Sequence, residues 1–394
     1  MISPRRSQFL RPALVFVLVL LPAACGRESS DAGPSTLVSS TAPADPTLTP
    51  SGSLEDIGSL LVLRDAGSWR AEGVDEIEVW ICRVPFDSTA AVFGGLPLRL
   101  PLTAEGVAEV LNARAAPYFD AISHGLYQPQ FYAGSDATLR ADQEPQVCVE
   151  QAIQGADDTA DAVLVVADAE HVTEHPGGFG NVGVQCPAGP PCPVLDSRRA
   201  AYVGASDFHP DWGDQPPMDL VEHEIGHTLG WTHSGFVDGA AVPYQSALDV
   251  MSNSAAPRGI DSARRDGPNT LAINLLFAGW LPESELWVAP LAGGSVSLQS
   301  STGGAGMRLA IAPLANGSYL TVELLTADGF NAHLPLAGIA VHRVVMTAEG
   351  TVEAIVPLVG EPPYIDLLLA GGLIEIDGWR IVVLDDMVSI TPIA

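Results

Sequence analysis

His223-Glu224-Ile225-Gly226-His227-Thr228-Leu229-Gly230-Trp231-Thr232-His233 decides what kind of chain this is. On an α-helix, residues four apart lie on one face, so His223 and His227 can present two imidazoles to a single ion. Glu224 follows the first histidine and points to the ion's edge, where a carboxylate reaches a metal-bound water without displacing it. Gly230 opens backbone conformations closed to bulkier residues, so the helix can end there in a sharp turn. That turn brings His233 back as a third ligand. Three protein ligands leave a fourth place for water, which marks a catalytic rather than a structural zinc. The bland alternative, histidines satisfied by ordinary hydrogen bonds on a core helix, does not need all five fixed positions at this spacing.

Outward from this stretch, a helix is expected to start near Asp214–Pro217, since Asp can cap and Pro tolerates the first turn. Upstream the chain alternates between strands and helices. Glu76-Ile77-Glu78-Val79-Trp80-Ile81 alternates and predicts a strand with one wet face. Val107, Val110, Leu111, Phe119 and Ile122 fall at helical spacing over 104–123. Val163 to Ala167 is a continuous apolar run, as in a central strand. Ala200 to Gly204 is a short strand candidate, and 175–197 is loop-like. Beyond about 285 the pattern changes. Ser295–Leu298, Arg308–Ile311, Tyr319–Leu324, Gly338–Val345, Val352–Val356, Leu373–Ile376, Arg380–Leu384 and Met387–Ile390 follow one another with turn residues between. Strands at this spacing predict an antiparallel sandwich with a core of its own.

The motif resembles the zinc signature of the metzincin metallopeptidases, HExxHxxGxxH followed by a methionine turn. Leu248-Asp249-Val250-Met251-Ser252 looks like that turn, with Met251 as a packing floor beneath the histidines. Ala278-Gly279-Trp280-Leu281-Pro282 is similar to the segment that closes the catalytic domain in the gametolysin-like and immune-inhibitor-A-like branches. The resemblance implies an α+β catalytic domain, a mixed twisted sheet with an active-site helix, over 54–285, and a β-sandwich-like domain over 286–394. It implies Zn2+ on His223, His227 and His233, Glu224 as catalytic base, and polypeptide substrates lying extended along a sheet edge, for which Phe179 to Val184 is the candidate. Some metzincins place a tyrosine two residues after the Met-turn methionine. That place is Asn253 here, so no tyrosine ligand is expected.

The N-terminus reads as an export signal. Arg5, Arg6 and Arg11 precede an apolar run, Ala13 to Leu21, too short to span a bilayer. Leu21-Pro22-Ala23-Ala24-Cys25 resembles a bacterial lipoprotein signal over 1–24, with Cys25 as lipid attachment site, although Pro22 stands where that signal usually has a leucine. Ordinary cleavage and free secretion is the alternative; either way the mature protein lies outside the cytoplasm. Residues 25–53, rich in Ser, Thr and Pro, are expected to be a flexible tether. Setting Cys25 aside leaves Cys82, Cys148, Cys186 and Cys192, an even number in an oxidising compartment. Of three possible pairings, Cys186–Cys192 across a Pro-rich loop is favoured and Cys82–Cys148 follows by elimination.

With a net charge of −29 and arginine as the sole basic residue besides histidine, the surface repels phosphate, which argues against nucleic acid. Membrane contact is expected only through the N-terminal lipid. His171 and His175, four apart, are weak candidates for a second metal. His124, His209, His333 and His342 read as ordinary histidines, and Asp157-Asp158 with Asp161 as a solvated turn. The expectation is therefore a zinc endopeptidase, extracellular, surface-bound or secreted. The competing reading is an adhesion lipoprotein with an inactive zinc domain, which the intact Glu224 disfavours.

Overall fold

The computed structural model describes residues 48–86, 99–171, 177–183, 198–237, 242–384 and 387–393. Expectations placed on the signal segment, Cys25, His175, Val184, Cys186 and Cys192 lie outside them. Residues 46–394 form one compact unit. The chain is mixed α/β, with three sheets and a few helices.

The first sheet holds β1 (Gly73–Arg83), β2 (Tyr127–Thr138), β3 (Ala162–Ala167), β4 (Gly178–Asn181) and β5 (Arg199–Val203), in the order β2-β1-β3-β5-β4. The first four in that order run parallel and β4 is antiparallel at the edge. Strand alternation sorts the side chains to two cores. Ile77, Val79, Ile81, Leu164 and Val203 face the side covered by α2 (Ala104–Ile122), α4 (Asp219–Thr228) and α6 (Ala272–Phe277). Trp80, Cys82, Val163, Val165 and Tyr202 face the side covered by α3 (Gln146–Gly155). The Cys82–Cys148 disulfide ties β1 to α3. The remaining helices are α1 (Gly58–Gly67), which packs on α6, and the short α5 (Ala256–Ile260).

From 286 the chain is all β. One sheet, β11-β10-β9-β8-β6, is built from β6 (Leu286–Val288), β8 (Leu309–Pro313), β9 (Tyr319–Leu325), β10 (Gly338–Met346) and β11 (Val352–Pro357). The other, β12-β13-β14-β7, holds β7 (Gly294–Val296), β12 (Leu373–Ile376), β13 (Trp379–Val383) and β14 (Val388–Pro392). Ala310, Leu320, Val322 and Val341 pack with Ile381 and Ile390 between the two sheets. Their strand neighbours Leu309, Ile311, Tyr319, Ala340 and Val344 point the opposite way, into the core of the first half. Within residues 46–394 this sheet thus lies between two cores, and the main core does not divide at 285.

Four expectations need correction. The wet face of β1 is confined to its start: Val74 and Glu76 are exposed, but Glu78 is buried, accepting from the Trp80 indole and the Asp157 N–H. α4 starts at Asp219, not at Asp214–Pro217. Met218 is its N-cap, and no side chain caps it. The second half is not antiparallel throughout, because β6 pairs parallel with β8. The end of the expected tether is docked: the Thr49 N–H donates to Ser295 O, Gly52 N–H to Val288 O, and the Trp287 indole to Thr49 O.

Candidate metal centre

α4 carries His223 and His227 and ends in a Schellman motif. The Trp231 N–H reaches back to Gly226 O at 3.1 Å and the Gly230 N–H to His227 O at 3.0 Å. Gly230 takes φ +91°, a region that a Cβ makes costly. The chain then reverses and His233 comes back over the helix. The Nε2 of His227 lies 3.2 Å from that of His223 and 2.8 Å from that of His233. Two nitrogens on a tetrahedral zinc would sit about 3.3 Å apart.

The opposite ring nitrogens fix the tautomers. His223 Nδ1 is 2.7 Å from Val250 O and His227 Nδ1 is 2.9 Å from Trp231 O. A carbonyl can only accept, so each Nδ1 carries the proton and each Nε2 offers its lone pair inward. Burial, with the neighbouring imidazoles adding to it, pushes His223 down to about 3 and His233 down to about 4; burial also lowers His227. Neutral imidazoles with converging lone pairs repel one another and are the donor set a divalent cation needs. Among the described residues this is the one group of three or more His, Cys, Asp or Glu able to hold a metal ion.

Glu224 is buried next to the first histidine, and burial pushes its carboxyl up to about 8. Its Oε2 has no hydrogen-bond partner among the described residues. β4 lies directly over it, and two glycines allow that approach. A Cβ on Gly178 would meet Glu224 Oε1 at 2.7 Å, and one on Gly180 would meet Glu224 O at 2.3 Å and His227 Cβ at 2.5 Å. β4 is the sheet edge that the sequence placed near Phe179, and its far side pairs with no described strand. Met251, fully buried, packs on the inner side of α4, where a Cβ on Gly226 would lie 2.5 Å from its Sδ. Beneath the centre Trp231 meets Trp280 edge to face, and Trp280 stacks on Tyr127.

One contact at the site was not expected. A tyrosine does reach the histidines, from before the Met251 turn rather than after it. Tyr244 Oη lies 2.8 Å from His233 Nε2, and the ring centroids are 4.7 Å apart. Its backbone N–H bonds to Ser234 O, which folds 244 back beside 233. No spacing rule signals this pairing. Away from the cluster, His171 is buried four residues after β3, and His333 and His342 are buried in the second half. His209 accepts from Asp211 N–H, and His124 meets Arg308. Asp157 and Asp161 accept from Thr159 and Glu76 N–H groups, as in an ordinary hydrogen-bonded turn. No described helix is long and apolar enough to cross a membrane. No family model matches the chain, and no curated protein matches it.

Proposed function

We propose that this chain is a zinc-dependent endopeptidase of metzincin type that cleaves extracellular proteins, secreted or held at a bacterial surface through lipid on Cys25. The observation that carries this reading is the convergence of three neutral Nε2 atoms from His223, His227 and His233, with the buried Glu224 next in sequence to the first. The mixed sheet with its antiparallel edge over α4 agrees with the fold that the sequence resemblance implies. Zinc, when bound, supplies the Lewis acidity that polarises a scissile carbonyl and acidifies a water. The edge of β4 that pairs with no described strand holds an extended peptide main chain to main chain, which sets the scissile bond beside the centre without demanding particular side chains. Glu224 takes the proton from the attacking water and returns it to the leaving amine.

The test uses purified full chain on a mixture of denatured proteins, with and without chelator, read by mass spectrometry of the fragments. Cleavage is expected only in the metal-loaded sample. Glu224→Ala should keep zinc and fold and lose activity by roughly 10²- to 10⁴-fold. Comparable turnover in that variant would rule out Glu224 as the base.

A further inference from the structure

The groups that hold the ligands in place lie outside the eleven-residue motif, and one carboxylate stands at their centre. Asp249 is fully buried, in the turn before Met251. It accepts hydrogen bonds from Ser234 Oγ at 2.5 Å, Thr270 Oγ1 at 3.0 Å, the Met251 N–H at 3.2 Å and Asn274 Nδ2 at 3.4 Å. All four donors are neutral. A carboxylate is the side chain that can accept that many bonds without donating one.

Two of these links lead to metal ligands from opposite sides. Ser234 directly follows His233, and its own N–H donates to Met251 O at 2.9 Å. Val250 directly follows Asp249, and its carbonyl takes the Nδ1 proton of His223 at 2.7 Å. The segment after His233 is braced from outside as well. Ile355 in β11 accepts from the Gly235 and Phe236 N–H groups through its carbonyl, at 3.0 and 3.3 Å.

We infer that Asp249 is the positioning residue of the metal centre, holding His233 through Ser234 and His223 through the Val250 carbonyl, with β11 as an outer brace. The inference rests on reading the three histidines as a metal site. His233 is the ligand that needs such help, since it alone stands outside the helix and a loop does not fix a ring's direction. Asp249 touches no metal and no substrate; it acts through the two imidazoles.

Zinc alone is the probe, titrated into the full chain against a chromophoric chelator. Asp249→Ala would leave four buried donors unpaired and threaten the fold, so Asp249→Asn and Ser234→Ala are the informative variants. Each should fold by circular dichroism and bind zinc about 10- to 100-fold more weakly. The visible spectrum of the cobalt-loaded Ser234→Ala protein, at saturating metal, should differ from that of the unsubstituted protein, because the third imidazole has moved. In a His233→Ala background, Ser234→Ala should change zinc affinity less than about twofold, since the ligand it acts through is gone. Zinc affinity within about twofold of the unsubstituted protein for Ser234→Ala overturns the inference. So does a loss of equal size with and without His233, which would mark general destabilisation. If His223→Ala/His227→Ala binds zinc as well as the unsubstituted chain, the metal-site reading itself falls, a result visible without touching Asp249 or Ser234.

Discussion

Tyr244 sits at φ +71°, where a residue with a Cβ costs roughly 1–2 kcal/mol. Nearly half exposed, it gains little from packing there. What the conformation achieves is contact between its hydroxyl and His233. A phenol at that place can donate to negative charge developing on a carbonyl beside the centre. Tyr244→Phe should therefore lower kcat ten- to a hundredfold, leaving zinc content and KM largely unchanged. Steady-state kinetics with a short peptide checks this, and an unchanged kcat would leave the hydroxyl without a role in the reaction. His342 makes a different single-residue case. Buried in β10 with no partner for its Nδ1 among the described residues, it is pushed down to about 4 by burial, from 6.5 in the unfolded chain. Between those values the unfolded chain binds a proton that the folded chain refuses. Its contribution to stability is therefore intact above 6.5 and is lost as pH falls toward 4. At pH 5 the loss should be about 2 kcal/mol. Urea midpoints at pH 7 and pH 5 should lie closer together in His342→Leu than in the unsubstituted protein, and an equal gap would exclude this source.

Among the elements, β4 and α4 are mutually dependent. Their approach requires that positions 178 and 180 carry no side chain. Gly180→Ala should push β4 off the helix, cost about 1–3 kcal/mol and weaken zinc binding, because His227 Cβ is one of the atoms it strikes. Thermal unfolding and chelator competition on the same sample would register both effects. Near-native values of each would mean that β4 shifts freely. The elements legible in the sequence were those with strong local signals. The helix over 104–123, the β3 run and the eight strands after 290 all lie within a few residues of their expected places. β2 was not legible, because it is the opposite edge of the sheet. Tyr127-Gln128-Pro129-Gln130 carries a proline and polar residues that only an edge strand tolerates. Glu78 misled for a related reason: its charge suggested solvent, but a buried indole and amide satisfy it. The three histidines were legible because helix spacing and one glycine dictate their meeting. Tyr244 and Asp249 join them only through the reversal after His233, which hydrogen bonds between distant segments create.

At the scale of the whole molecule, the sequence boundary near 285 marks a change of secondary structure but not of core. Leu309, Ile311, Tyr319 and Ile355 pack with residues of the first half, and Glu323 of β9 accepts from Ala272 N–H at the start of α6. A chain ending at 285 would expose that surface and lose the Ile355 brace. Instead of a smaller working enzyme, it should give a protein that neither unfolds cooperatively nor retains zinc. Circular dichroism melts and elemental analysis decide the matter; a cooperative, zinc-bound fragment would show that the two halves are separable after all. The docked residues 49–52 extend the same theme to folding in time. Thr49 and Trp287 are bonded across 238 positions of sequence. A chain made from its N-terminus therefore carries this segment unpartnered until nearly three quarters of its length exists. Contacts of such span close slowly, because the loop entropy must be overcome before any reward is felt. Assembly of the fold is thus set to finish late, as a ring closed by its clasp.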